Sequence, residues 1–181
     1  MSYCRLIGFF LVISGVFSSY LHAEEYTLAE GDKIEILVYT GSELEAQRVL
    51  TLQKSSVLKH LYLPEKEPLL KLIGLTTVAL EKNVADSIRG EYIPNPTVQV
   101  NILEYRPFFI TGAVNNPGSY PYQPGLTASK AIALAGGLTE RADDDDIRVT
   151  RQIDGKSNEL KISKDSIIKP GDMINVDESV F

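Results

Sequence analysis

Two stretches of strict alternation constrain this chain more than anything else in it. In "DKIEILVY" the residues Ile34, Ile36 and Val38 alternate with Lys33, Glu35 and Leu37; in "NPTVQVNILEY" Val98, Val100 and Ile102 alternate with Thr97, Gln99 and Asn101. A strand sends successive side chains to opposite faces, so each stretch predicts a strand with one apolar face, the first entered through the turn signal "EGD". Between them, "TTVALEKNVADSIRG" changes period. Leu80, Val84 and Ile88 are spaced by four and share one face of a helix, with Thr76 or Thr77 placed to cap it and Gly90 to end it.

The same grammar recurs beyond Glu104 to Pro107. "RPFFITGAV", the turn "NNPG" and "SYPY" predict a strand pair, and "LTASKAIALAGGLT" a short helix. Thr127 caps that helix, Ile132 with Ala128 or Ala135 faces inward, and Gly136 and Gly137 stop it. "IRVTRQIDGKSNELKI" predicts a hairpin turning at Asp154–Gly155, and "KPGDMINV" a turn and a last short strand. Evidence is weaker around "RVLTL", and Pro64 and Pro68 break the stretch after it into short extended pieces. There is no long linker and no strict internal repeat. The expectation is an α+β chain of two small packed units, residues 24–105 and 106–181.

Residues 1–23 are set apart from both units. Arg5 is the only charge ahead of the apolar run Leu6 to Phe17, and "SSYLHA" ends in the small residue Ala23 before Glu24 and Glu25, with Leu21 larger than the residue usual at that place. This is the pattern of a secretory signal peptide, with cleavage expected between Ala23 and Glu24. The run is shorter than the ~20 residues a membrane-spanning helix needs. Cys4 lies before the apolar run, where a lipoprotein cysteine would follow it, so no lipid anchor is expected. Loss of Arg5 leaves 17 basic against 24 acidic residues and moves the net charge from −6 to −7. An acidic surface repels nucleic acid and anionic headgroups, so nucleic acid is not an expected partner.

Catalytic constellations are poorly supplied. With the leader gone no cysteine remains and His60 is the one histidine, which leaves no Cys/His zinc set and only a histidine without a nearby nucleophile motif for a triad. "AGGLT" follows a helix and does not open one, so it reads as a helix stop and not as a phosphate loop. No tryptophan provides a sugar platform. Tyr120 and Tyr122 alternate after a turn and are read as packing residues or as a surface for a partner or glycan. The run Asp143, Asp144, Asp145, Asp146 lacks the EF-hand spacing and is expected to be a solvated loop, flanked and partly balanced by Arg141 and Arg148. Neither catalysis, a cofactor nor a metal is expected.

The order of motifs resembles a known family. "YTLAEGDKIEILVY", "GLTTVALEKNVADSI" and "YIPNPTVQVNILEY" resemble the N-terminal domain of bacterial polysaccharide export proteins. "FFITGAVNNPGSYPYQPGLTASKAIALAGGLTERAD", "IRVTR" and "KPGDMINVDESVF" resemble the SLBB domain that follows it in that family. The motif positions carried over, as structural and not catalytic residues, are Gly31, Asp32, Gly74, Pro94, Pro96, Gly112, Pro117, Gly118, Gly136, Gly137, Pro170, Gly171 and Asp172. Val49 to Leu72 departs from the family pattern. The resemblance implies an export-type N-terminal domain followed by a β-grasp-like SLBB domain. It further implies a periplasmic role in capsule or exopolysaccharide secretion, as a ring-shaped homo-oligomer between an inner-membrane polysaccharide co-polymerase and a separate outer-membrane barrel. The chain reads as a short form without the family's C-terminal membrane helix. A monomeric carbohydrate- or small-ligand-binding periplasmic module and a periplasmic polysaccharide-modifying enzyme are the alternatives.

Overall fold

The structure is a computed structural model that describes residues 26–53, 57–58, 70–90, 93–153 and 155–179. Residues 1–23 with the Ala23–Glu24 bond, His60, Asp154 and most of the divergent stretch after Val49 lie outside the described residues.

The architecture is mixed α+β. Strand β1 (Lys33–Thr40) is the centre of a three-stranded antiparallel sheet, flanked by β2 (Glu43–Thr51) and β5 (Pro96–Glu104). A two-residue pair, β3 (Val57–Leu58) with β4 (Leu70–Lys71), lies apart from it. The alternation does what its period requires: Ile34, Ile36 and Val38 are fully buried, and Val98 and Val100 join them from β5. Helix α1 (Thr77–Ile88) lays Leu80, Val84 and Ile88 onto that face. Thr76 caps it by accepting a hydrogen bond from the Ala79 amide at 3.2 Å. Pro96 opens the edge strand β5, a position where a residue without an N–H is tolerated. Gly74 donates its amide to Leu28 O at 2.8 Å, tying the entry to the helix onto the approach to β1.

The second sheet has five strands in the order β7 (Gly118–Tyr120), β6 (Phe108–Gly112), β10 (Met173–Glu178), β8 (Ala142–Ile153), β9 (Lys156–Ile162). Its centre is a parallel pair, β6 with β10, while the other pairings are antiparallel. The short helix α2 (Ala128–Leu134) buries Ala128, Ala131 and Ile132 in a core with Phe108, Ile110, Ile147, Val149, Ile174 and Val176. Gly136 and Gly137 end it, and Asn115 Nδ2 donates to Gly136 O at 2.8 Å, so the "NNPG" turn with Pro117 and Gly118 is pinned to the helix end. Among the described residues no helix is long and apolar enough to cross a membrane.

One sequence expectation needs correction. The hairpin strand β8 begins at Ala142, so Asp143 to Asp146 belong to a strand and not to a loop. Ion pairs offset the poor strand propensity of aspartate there: Asp146 pairs with Arg148 of its own strand and with Lys161 of β9, and Asp144 with Lys164 just beyond β9. The short strand expected in "DMINV" is present as β10, at the middle of its sheet. Nothing local in six residues distinguishes a sheet's middle from its edge, because a parallel partner lies far away in sequence.

Candidate functional site

The two sheets meet through a pair of matching turns. Asp32 is fully buried: its Oδ2 accepts from the Tyr26 hydroxyl at 2.7 Å and the Ala29 amide at 2.8 Å, and its Oδ1 from the Arg106 amide at 2.9 Å. Asp172 is 1% exposed and repeats the arrangement. Its Oδ2 accepts from the Lys169 amide, three residues back as in the first turn, at 2.8 Å, and Arg151 grips both carboxylate oxygens at 2.8 and 2.6 Å. The backbone repeats as well. Gly31 N–H bonds Leu52 O while Gly171 N–H bonds Pro107 O, and the carbonyls of Asp32 and Asp172 accept from Leu52 and Phe109. No strict sequence repeat exists, yet "AEGD" and "KPGD" fold into one motif, in which the aspartate side chain fills the bonds that its own turn leaves open.

Arg106 lies between the two turns. Its Nε donates to Pro170 O at 3.0 Å, and its chain occupies the space that side chains at the two glycines would need. A Cβ on Gly171 would stand 2.5 Å from Arg106 Nε, and one on Gly31 3.1 Å from Arg106 Cβ. Both glycines also have positive φ, 96° at Gly31 and 81° at Gly171, where L side chains are strained. Arg106 Nη1 is buried and has no hydrogen-bond partner among the described residues. One residue thus reads both turns, through its amide at Asp32 and its guanidinium at Pro170.

Aromatic rings extend this junction. Tyr105 stands edge-to-face with Tyr26 (centroids 5.1 Å, 81°) and with Tyr122 (5.4 Å, 75°). Burial, reinforced by the bond to the Asp32 carboxylate, pushes the Tyr26 hydroxyl pKa far up; burial also raises that of Tyr122, with Tyr105 adding to it. Beside the rings is an open groove of about 410 Å³. The end of β5 supplies Leu103, Glu104 and Tyr105, and the loop between β7 and α2 supplies Pro121, Tyr122, Gln123 and Pro124. Tyr120 takes the packing role, stacking on Phe108 at 5.9 Å and donating to Asn116 O, whereas Tyr122 faces the groove.

The four aspartates do not converge on one point. Asp144 pairs with Lys164 at 2.5 Å, Asp146 with Arg148 at 3.0 Å and Lys161 at 3.5 Å, and Asp143 accepts from the Asp145 amide. Hydrogen bonds from Lys164 and Arg148 hold the carboxyls of Asp144 and Asp146 below the usual carboxylate range. Arg148 also reaches Asp177 at 3.3 Å, while Arg141, expected to balance the run, pairs with Glu178 at 3.0 Å. This is a ladder of alternating charge across strands.

Of the sequence-selected positions, the structure gathers Gly31, Asp32, Pro170, Gly171 and Asp172 at the junction. Gly112 lies on β6, where a Cβ would collide with Val176 O of the parallel partner strand. Gly74, Pro94 and Pro96 lie on the first sheet's side, Gly118 opens β7, and Gly136 and Gly137 follow α2. Sequence reasoning missed Arg106, Arg151 and Tyr105. The available signal was the repeated Gly-Asp preceding an alternating strand, which leaves two buried carboxylates in need of donors.

Residues 107–159 match the SLBB domain. A stretch of 48 residues, 26% of this chain, is 50% identical to the exopolysaccharide production protein ExoF of Rhizobium meliloti (strain 1021). The chain spans 11% of the length of that relative.

Proposed function

We propose that this chain is a non-catalytic component of a polysaccharide export machinery, secreted to the periplasm and assembled there into part of an oligomeric conduit toward the outer membrane. The observation that carries the reading is the 50% identity over 48 residues to a protein of exopolysaccharide production, supported by the SLBB match at residues 107–159. Around it stands the resemblance of residues 26–105 to the N-terminal domain of export proteins, which extends the reading to the rest of the chain.

In this reading residues 1–23 are a cleaved leader and the folded part begins at Glu24. The protein forms a homo-oligomeric ring, receives polymer from an inner-membrane co-polymerase and passes it to a separate outer-membrane barrel. Its work is positional, so a rigid junction between the two sheets matters more than a reactive side chain. Arg106 and the paired Gly-Asp turns would hold each protomer in the one shape that a closed ring requires.

Deletion of the gene, scored as secreted polymer per cell and complemented by the wild-type chain, tests the role. Loss of secreted polymer with restoration on complementation is expected; normal secretion from the deletion strain refutes it. Native mass spectrometry of the purified chain, alone and with membrane partners, tests the ring. A monomer under every condition would favour the second reading, a monomeric carbohydrate-binding module built around the tyrosine groove.

A further inference from the structure

We propose that the outer edge of β9 pairs with the same edge of a second copy of this chain, antiparallel about a two-fold axis through Leu160, joining the two five-stranded sheets into one. The two sheets of a single chain have four outer edges, β2, β5, β7 and β9, and three of them are unsuited to pairing. β7 is three residues long. β5 opens on Pro96, and its Val100 amide already donates to the Glu81 side chain of α1 at 2.9 Å. β2 is bulged, its register against β1 shifting between Val38 and Tyr39. β9 keeps its register with β8 over all seven of its residues, from Ile153↔Lys156 to Ile147↔Ile162, and six of the seven are exposed. A regular, exposed edge of this kind is a template for another strand.

The sequence of that edge selects the partner. Lysine on an edge strand ordinarily discourages pairing. Here Glu159 and Lys161 flank Leu160 with opposite signs. Antiparallel pairing centred on Leu160 sets Glu159 of each copy opposite Lys161 of the other, giving two attractive pairs on one face of the joined sheet. On the opposite face Leu160 meets its own counterpart. It stands in register with the buried Val149 yet is itself 45% exposed, so the new pair extends the apolar layers of both cores across the axis. Further out, Lys156 faces Lys164, whose charge Asp144 already balances at 2.5 Å. Within the chain, Glu159 reaches Arg148 at 3.9 Å and Lys161 reaches Asp146 at 3.5 Å. These are long surface contacts of little strength, which leave both groups able to bond a second copy. The contact is isologous, whereas a ring is closed by head-to-tail contacts between unlike surfaces, so it is additional to the assembly proposed above.

Sedimentation equilibrium of the purified chain tests the contact. A strand of seven residues is a narrow surface, so a monomer–dimer equilibrium with a Kd on the order of 50 µM is expected. Glu159→Lys and Lys161→Glu each turn both attractive pairs into like-charged ones and should weaken dimerisation about tenfold. Mixed one to one, the two variants should pair with an affinity within about threefold of the natural chain, because each copy supplies the sign that the other has lost. A variant that had merely misfolded would not recover on mixing. Cross-linking reads the axis without changing a charge. In a chain carrying Cys4→Ser and Leu160→Cys, the single thiol should form a disulfide between copies under copper phenanthroline. Its yield should be about fivefold above that of a chain carrying Cys4→Ser and Ser157→Cys, since position 157 lies off the axis. A chain that stays monomeric at about 500 µM overturns the proposal. A dimer unchanged by both charge variants, variants that fail to pair when mixed, or equal cross-linking at positions 157 and 160 also overturns it. Secretion from the deletion strain scores the export role independently of all of these outcomes.

Discussion

Replacing Gly171 by alanine imposes two costs that the structure lets one separate. The first is backbone: φ is +81°, and a non-glycine residue in that region costs about 1–2 kcal/mol. The second is spatial, since the new Cβ would stand 2.5 Å from Arg106 Nε. Nε belongs to a flexible side chain, so Arg106 can withdraw, but only by giving up its bond to Pro170 O at 3.0 Å. A hydrogen bond from a charged donor is worth about 1.5–3 kcal/mol. Gly171→Ala should therefore lower stability by about 2.5–5 kcal/mol in the natural background. In an Arg106→Ala background the bond is already gone and the space already free, so the same change should cost only about 1–2 kcal/mol.

The chain has nine tyrosines and no tryptophan, so urea unfolding followed by tyrosine fluorescence and far-ultraviolet circular dichroism supplies all four corners of this double-mutant cycle. Gly31 provides the control. Its Cβ would press on Arg106 Cβ at 3.1 Å, an atom that alanine keeps. Arg106→Ala should leave the cost of Gly31→Ala unchanged, while Arg106→Gly should reduce it. A coupling between Gly171→Ala and Arg106→Ala of less than about 0.5 kcal/mol would refute the idea that Arg106 and Gly171 share that space.

Further outcomes follow from the same geometry. Asp172→Asn should destabilise by about 3 kcal/mol, because it removes the counter-charge of Arg151 from a largely buried pair; chemical denaturation measures it. Tyr26 and Tyr122 have hydroxyl pKa values raised above 10.0 in the folded state, so their contribution is fully present below that pH and is lost as pH rises through the unfolded value toward the folded one. Melting temperature should fall above about pH 10, and less steeply in Tyr26→Phe; identical alkaline profiles would count against the buried hydroxyl. Asp144→Asn with Asp145→Asn should keep the fold and leave the melting temperature essentially unchanged, since the ion pair involved is solvent-exposed. A larger loss of melting temperature would show that the charge ladder is structural.

Local pattern carried much of the fold. The inward residues of β1, β5 and α1 could be named before any coordinates, because each burial face follows from a short-range period: Ile34, Ile36, Val38; Val98, Val100; Leu80, Val84, Ile88. The helix cap Thr127 was legible for the same reason, and Thr76 as one of two adjacent threonines. What stayed hidden was non-local. Tyr105 and Arg106 looked like boundary residues because their partners, Tyr26, Asp32 and Pro170, lie far off in the chain. The aspartate run was misjudged by counting only the flanking Arg141 and Arg148, while further cations that make a strand tolerable there, Lys161 and Lys164, come from β9 and the segment after it. The groove depended on Tyr122 meeting Tyr105 across the junction, although alternation had already marked Tyr120 and Tyr122 as a surface of interest.

The position of β10 has a consequence for how the molecule is made. Residues 26–104 contain every strand of the three-stranded sheet, so that sheet can assemble as soon as β5 is available. The five-stranded sheet cannot. Its middle strand is the last to be synthesised, and until Met173–Glu178 arrives, β6 and β8 face each other across an empty lane with both inner edges unpaired. Pairing β6 with β10 closes a loop of about 60 residues, a slow step for a small domain. A chaperone that holds this half, or a partner that briefly pairs with the exposed edges, would act in that interval. The same lane is where a nascent chain is most open to joining another copy of itself by mistake.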